Sequence, residues 1–184
     1  MTNEKKRVAL GALTLGLWLV PANLYASSHC QRGEVDFYSA RMGRLDDDTQ
    51  MVSGQKILSL CADRRAGMSR LDYRFGLPGK VELSFSAPVQ GKFSYETQQP
   101  SHRASIEALT FRRGAITYAI TQCFGMHCGI HDVSLKVYSG AKLLLSLDND
   151  RDQSSGLLVE TMDGFASLPP VVKQNRASGL DLFQ

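Results

Sequence analysis

The sequence predicts an all-β protein, an antiparallel β-sandwich or barrel built from consecutive hairpins, with one short helix near the C-terminus. Apolar and polar residues alternate strictly in several segments, which is typical of half-buried strands. Turn-forming residues separate these segments about every ten residues, as in sandwiches and barrels. With 43% apolar and 21% charged residues among 184, the composition is that of a globular protein and excludes a disordered chain.

The chain opens with the pattern of a secretory signal peptide in residues 1–26. A basic start precedes an apolar run over Val8–Val20, and small residues follow, so that cleavage would leave Asn23 or Ser27 first. The run is too short to span a bilayer comfortably, and no second long apolar stretch follows. We therefore predict a single β domain over residues 27–184, periplasmic or secreted, without a stable membrane span once the signal is removed.

The first predicted hairpin joins two alternating segments whose apolar residues are Leu71, Tyr73, Phe75, Val81, Leu83 and Phe85. A three-residue loop from Leu77 to Gly79 would pair Phe75 with Val81. Gly79 would then have the left-handed conformation that such loops require. This register places all six apolar side chains on one face, so we expect them in the core.

Two further hairpins follow the same pattern. An Arg113-Gly114 loop would pair Phe111 with Ile116, and the alternation continues through Tyr118 and Ile120. A Ser139-Gly140-Ala141 loop would bring together apolar residues of two strands, setting Val133, Leu135 and Val137 opposite Leu147, Leu145 and Leu143. We expect the three hairpins to converge on one buried core.

Weaker patterns predict the rest of the chain. Shorter strands are expected over Val35–Ala40, Lys56–Cys61 and Lys92–Glu96. The polar segments 40–55 and 148–156 are predicted to be loops. A short helix is expected over Gly156–Phe165, followed by an irregular tail.

Two cysteines and two histidines lie within Cys123–His131, close enough in sequence to bind zinc or copper through thiolate and imidazole. A hairpin register that pairs Cys123 with Cys128 favours a disulfide instead. It sets Tyr118 opposite Val133, keeps the apolar residues on one face and leaves both sulfurs on the other. Opposed cysteines in neighbouring strands are within disulfide reach, so we expect a disulfide and no metal.

All four cysteines follow the predicted signal, as expected of a protein that meets an oxidising compartment. With Cys123 and Cys128 paired, Cys30 and Cys61 would form the second disulfide by elimination. Four cysteines allow three connectivities, so the other pairings stay open at this point.

The closed loop would present Phe124, Met126 and His127 on a short, stiff tip. Rigid display of an aromatic ring and a methionine suits binding, because little ordering entropy is lost on association. In the alternative, Phe124 folds back to cap the core and His127 is simply solvated.

The sequence gives no positive support for enzyme activity or for a cofactor. It lacks a serine in a glycine-flanked elbow, a free cysteine with a partner histidine, and a carboxylate pair with the spacing of a glycosidase. Lys5, Lys6 and Arg7 supply most of the net charge of +3, so no nucleic-acid partner is predicted.

The stretch Leu71–Leu83, with Cys61 before it and Phe111–Tyr118 after it, resembles a family of small exported bacterial proteins of unassigned function. The resemblance covers about residues 57–147 and brings no catalytic residues with it. A fainter resemblance is to periplasmic inhibitors of lysozyme, small disulfide-bearing β-barrels that insert a Ser-Gly-Ala-Lys/Arg-Tyr-type loop into the enzyme's cleft. Ser139-Gly140-Ala141-Lys142 carries it, although Leu143 stands in place of the tyrosine.

Together these features predict an exported envelope protein that acts as a binding or inhibitory module without catalysis. Its expected partner is a protein or another envelope component. The alternative is a small enzyme or a metal-binding carrier that uses the Cys123–His131 segment.

Overall fold

The computed structural model describes residues 28–64, 69–125, 133–155, 173–174, 180 and 182; the predicted signal peptide and short helix lie outside them. This part of the chain contains ten strands and no helix, so the all-β prediction is confirmed. The strands are β1 (Glu34–Leu45), β2 (Val52–Asp63), β3 (Leu71–Leu77), β4 (Lys80–Ala87), β5 (Ser94–Ser101), β6 (Ala104–Arg113), β7 (Ile116–Gly125), β8 (Val133–Ser139), β9 (Lys142–Ser155) and β10 (Lys173–Gln174).

All ten strands belong to one sheet, in the order β10-β5-β6-β7-β8-β9-β1-β2-β3-β4. Two antiparallel meanders, β1 to β4 and β5 to β9, are joined by antiparallel pairing of β1 with β9. The short β10 runs parallel to β5. Among the described residues, the two edge strands, β4 and β10, are not paired with each other, so the sheet is not closed.

The inner face of the sheet carries the main hydrophobic core. Phe85 of β4 stacks on Phe111 of β6, with ring centroids 4.4 Å apart. Tyr73 and Phe93 also contact the Phe111 ring, at centroid distances of 4.9 and 5.4 Å. The sheet therefore curves until strands from both of its ends share one aromatic core.

Residues near the C-terminus cover part of the outer face of β5 to β8. Leu182 is fully buried there in a second apolar cluster. The Lys136 ammonium donates a hydrogen bond to the carbonyl oxygen of Leu182, and the Gln98 amide donates one to that of Leu180. Positions that alternation alone would leave to solvent are thus covered by the chain itself.

The β3–β4 hairpin differs from its predicted register. Its loop is Pro78-Gly79 alone, and a bulge next to Phe75 brings this residue opposite Leu83. The predicted pairing of Phe75 with Val81 is wrong, and Val81 is 44% exposed rather than in the core. Gly79 does have the predicted left-handed conformation, with a φ of 72°.

The β6–β7 hairpin is also shifted. Phe111 pairs with Tyr118 rather than with Ile116, because Gly114 is the first residue of the turn and not the second. Gly114 has a φ of 60° and the following Ala115 does not have a positive φ, which is the pattern of a type II′ turn with glycine at its first position. A shift by an even number of residues leaves every side chain on its predicted face.

The β8–β9 hairpin has the same kind of turn, with Gly140 first and a φ of 60°. Leu147 pairs with Leu135 rather than with Val133. A bulge at the start of the hairpin turns Leu143 to the outer face, where it packs against the second apolar cluster instead of the predicted core.

The polar segments 40–55 and 148–156, predicted as loops, are strands over most of their length. β1 lies inside the sheet between β2 and β9, so its backbone groups are paired on both sides whatever its side chains are. The three weaker strands predicted from the sequence correspond to β1, β2 and β5.

The predicted core is confirmed for most of its members. Fully buried are Leu71, Tyr73, Phe85, Phe111, Ile120, Val133 and Leu135. Partly buried and packed against them are Phe75, Leu83, Tyr118, Val137 and Leu147. The alternation therefore identified the buried face even where the pairing partners were wrong.

Candidate functional site

The described part of the predicted recognition tip is the end of β7, Cys123-Phe124-Gly125. Phe124 pairs with Ser105 and Gly125 with Ala104, so β6 holds this end of the strand. Gly125 has a φ of 108°, and a Cβ added to it would lie 2.0 Å from the carbonyl oxygen of Arg103. Only glycine fits so close an approach of two backbones.

Phe124 is half-buried, and its strand position puts it on the same face as the core residues of β7. It borders a shallow cavity of about 490 Å³ that is also lined by Ser105 and the His102-Arg103 turn. His102 and Arg103 are exposed and line the same cavity as Phe124. Phe124 is thus more exposed than a residue that caps the core and less exposed than a freely displayed binding residue.

Cys123 is disulfide-bonded and packs against the second apolar cluster, on the outer face as predicted. Its expected partner, Cys128, lies outside the described residues, as do Met126, His127 and His131. A sulfur in a disulfide has no thiolate to offer a metal. The Cys123–Cys128 pairing and the roles of Met126 and His127 stay predictions.

The register that set Cys123 directly opposite Cys128 is wrong. Val133 pairs with Gln122 rather than with Tyr118, and the described ladder between β7 and β8 ends at that pair. The error is again an even number of residues, which is why the apolar residues still share one face.

The second predicted disulfide, Cys30–Cys61, is confirmed, with a Cα–Cα distance of 5.4 Å. It attaches the segment before β1 to β2. Ligand-type atoms of Cys30, Glu34 and Cys61 lie within 4.8 Å of one another. The two sulfurs are bonded to each other, so this group is a covalent link and not a metal centre.

A buried ionic cluster lies beside this disulfide. Arg74 donates hydrogen bonds to both carboxylate oxygens of Glu34, at 2.6 and 2.8 Å, and to Asp72 at 2.8 Å. It also donates to the carbonyl oxygen of His29 at 2.9 Å. The three charged side chains are at most 10% exposed. Arg74 thus ties the segment before β1 to β3.

Both main partners of this cluster are stabilised in their charged forms. Burial raises the pKa of Glu34, but hydrogen bonds from Arg74 and the Gln31 N–H, with the charges of Arg74 and Arg70, outweigh it and hold the pKa below its ordinary value. The hydrogen bond to Glu34 raises the pKa of Arg74 above its ordinary value, against the effect of burial. The pair therefore works as a charged clamp and not as a proton-transfer couple.

The Ser139-Gly140-Ala141-Lys142 segment forms the β8–β9 turn, and all four residues are exposed. Successive turns of an antiparallel meander alternate between the two ends of the sheet. This turn therefore lies at the end opposite to Phe124.

Comparison of the chain with protein-family models, with curated proteins and with solved structures found no match. Inferences about function therefore rest on the residues and geometry above. In the described ranges there is no helix long and apolar enough to cross a membrane.

Proposed function

We propose that the protein is an exported binding module without catalysis, which contacts a protein or another envelope component through the end of β7. The Cys30–Cys61 disulfide supports export, since such bonds form and persist in oxidising compartments such as the periplasm or the extracellular space. The signal-peptide pattern of residues 1–26 supports it independently.

The observation that carries the proposal is the fixed position of Phe124. The residue before it, Cys123, is held by a disulfide. The residue after it is Gly125, and the backbone of Gly125 lies directly against that of Arg103. A ring held in this way loses little freedom on association, so its contact area contributes efficiently to affinity. The neighbouring cavity favours a partner that offers an apolar side chain, and the exposed imidazole of His102 in its wall can form a hydrogen bond to a polar group beside that side chain.

Substitution of Phe124 tests this proposal. Immobilised mature Phe124→Ala should retain its envelope partner at least about tenfold less well than wild type, which is the loss expected for an aromatic anchor. Leu144→Ala is the matched control, because Leu144 is apolar and 51% exposed on β9, away from the tip. It should retain the partner as wild type does, and both variants should keep the wild-type Tm.

The opposite result assigns Phe124 to structure. If Phe124→Ala melts well below wild type and still binds the partner with unchanged affinity, the ring caps the core and the proposed surface is wrong. Equal losses in Phe124→Ala and Leu144→Ala would also contradict the proposal, because the loss would not depend on the end of β7.

A second candidate function is inhibition of a lysozyme by the Ser139–Lys142 turn. The exposure of all four turn residues favours it. Mature protein should slow the lysis of cell walls by lysozyme, and Lys142→Glu should abolish the effect. An unchanged lysis rate in the presence of excess protein would exclude this candidate.

A further inference from the structure

A segment near the C-terminus is seated on the outer face of β5 to β8. Leu182 is fully buried there, and Leu180 packs against the same apolar cluster. Side chains two residues apart in an extended segment point the same way, which is how both leucines can face the sheet. The outer face therefore binds this segment through alternate side chains.

The pocket that holds Leu182 is built by three neighbouring strands. Its walls, which we call the Leu182 pocket, are Ile106 and Ala108 of β6, Ala119 of β7 and Tyr138 of β8. All four are buried, although they lie on the face of the sheet away from the main core. The two alanines leave room for a leucine side chain beside the larger isoleucine and tyrosine. The pocket is thus complementary to a branched apolar side chain.

Two strand side chains hold the backbone of the seated segment. Lys136 of β8 donates a hydrogen bond to the Leu182 carbonyl oxygen, and Gln98 of β5 donates one to the Leu180 carbonyl oxygen at 2.9 Å. Lys136 pairs with Ala119 in the ladder, so it lies next to the Leu182 pocket. Carbonyl oxygens are present in every residue type. The two donors can therefore hold any extended segment whose leucines fit the pocket.

The seated segment is weakly tied to the sheet by backbone pairing. Among the described residues, β10 pairs with β5 at Lys173 and Gln174, whereas β5 pairs with β6 from Ser94 to Ser101. Elements with few backbone hydrogen bonds and few buried contacts open at a lower cost in free energy than the strands of the core. The segment can therefore leave the outer face while β5 to β8 stay paired.

We propose that the Leu182 pocket and its two donors form a peptide-binding site for an extended Leu-x-Leu segment of a partner protein. The chain's own Leu180 and Leu182 occupy this site until the partner segment displaces them. Pockets for alternate side chains combined with hydrogen bonds to the main chain are a common way to bind extended peptides. The site lies on the opposite face of β7 from Phe124, so it is a second surface beyond the one proposed above.

The peptide Ser-Gly-Leu-Asp-Leu-Phe-Gln, which has the sequence of residues 178–184, is the probe. Leu182→Asp in the mature protein should free the site, because a charged side chain is expelled from an apolar pocket. Fluorescence anisotropy should show that this variant binds the labelled peptide at least about tenfold more tightly than wild type, whose own segment competes at a high effective concentration. A peptide with aspartate in place of its second leucine should not bind.

Substitution of Gln98 tests the backbone donors. Gln98→Ala, added to Leu182→Asp, should weaken peptide binding about fivefold, because one hydrogen bond to the peptide is lost. Gln99→Ala is the matched control, since it removes the same side chain one position later, where it lines the cavity beside Phe124. Its affinity for the peptide should equal that of Leu182→Asp alone. Phe124→Ala should also leave peptide binding unchanged, so failure of this proposal and failure of the proposed partner surface are distinguishable.

Hydrogen exchange of the wild-type protein gives a measurement that does not depend on the folding of Leu182→Asp. A saturating concentration of the peptide should speed exchange of the Leu180 and Leu182 amides, because their segment is displaced. The amides of β6 and β7 should stay protected.

Several results would overturn the proposal. These are absence of peptide binding by folded Leu182→Asp, equal binding of the two peptides, equal weakening by Gln98→Ala and Gln99→Ala, and unchanged exchange of the Leu180 and Leu182 amides. A wild-type dimer that becomes a monomer in Leu182→Asp would also overturn it, because the site would then hold the segment of a second copy.

Discussion

Arg74 shows how a single buried charge holds two parts of this protein together. It is 10% exposed and bound by Glu34, Asp72 and the His29 carbonyl, so it joins β3 to the segment before β1. The sequence shows Asp72 and Arg74 as polar residues alternating with apolar ones, which predicts solvent exposure. It could not show that the segment around Glu34 folds over them, because that contact joins residues far apart in the chain.

Loss of this guanidinium should be costly. Arg74→Met leaves two buried carboxylates without their main counter-charge, so we expect the free energy of unfolding to fall by about 3–5 kcal/mol. Lys56→Met is the control, because Lys56 pairs with Glu82 at an exposed position, and such pairs contribute about 0–1 kcal/mol. Urea unfolding of both variants measures the difference. Equal decreases in the free energy of unfolding of the two variants would show that the ion pairs of Arg74 contribute no more than an exposed ion pair does.

The lowered pKa of Glu34 predicts a loss of stability in acid. The folded protein holds this carboxylate charged more strongly than the unfolded chain does, so the unfolded chain takes up the proton first. The stabilisation is therefore complete above the ordinary pKa of 4.5 and is lost as the pH falls below it through the lower folded value. The urea midpoint of wild type should drop over this range, and that of Glu34→Gln should drop less.

Substitution of Asp46 separates the contribution of the exposed β1–β2 turn to the acid dependence of stability from that of the buried cluster. Hydrogen bonds from the Thr49 backbone and hydroxyl lower its pKa in the exposed β1–β2 turn. Asp46→Asn should remove only this turn's share of the pH dependence. If Glu34→Gln leaves the acid dependence unchanged and Asp46→Asn removes it, the buried cluster is not the origin.

At the scale of strands and turns, the side-chain pattern and the pairing carry different information. Alternation predicts the buried face correctly, because an error of two residues in register does not change it. The pairing itself depends on turn geometry and bulges, and these set Phe75 opposite Leu83 and place Gly114 first in its turn. The sequence contains the glycines but not the bulge next to Phe75. The polar ends of β1 and β9 become strands because their neighbours pair with them.

A pair of substitutions separates the observed register from the predicted one. Leu135 is 1% exposed, so Leu135→Ala should lower the free energy of unfolding by about 2–5 kcal/mol through the cavity it leaves. Val81, predicted in the core, is 44% exposed, so Val81→Ala should change stability by no more than about 0.5 kcal/mol. A large decrease in the free energy of unfolding of Val81→Ala would instead support the predicted pairing of Val81 with Phe75.

At the scale of the whole molecule, the sites differ in how far the sequence could predict them. The Cys30–Cys61 disulfide followed from counting cysteines once another pair was assumed. The recognition tip was predicted from the two cysteines and two histidines that lie close together in Cys123–His131, and the structure describes only Cys123–Gly125 of it.

Removal of the Cys30–Cys61 disulfide should destabilise the whole domain. The bond joins residues 31 positions apart, and a loop of that length corresponds to about 3–4 kcal/mol of restricted chain entropy in the unfolded state. Urea unfolding of a Cys30→Ser, Cys61→Ser variant measures it. The expected Cys123–Cys128 pair closes a much shorter loop, so its double serine variant should lose less. An equal or greater loss there would contradict this entropic account.

Because β1 pairs with β9, one edge of β1 stays unpaired until a late stage of folding. Gly43 pairs with Asp148, about a hundred residues later in the chain. Contacts so distant in sequence form late, since the loop must close before they compensate its entropy. Until β9 arrives, one edge of β1 presents unpaired N–H and C=O groups while its other edge can already pair with β2. A chaperone or a second nascent copy could add a strand at this edge, which disappears once β9 docks.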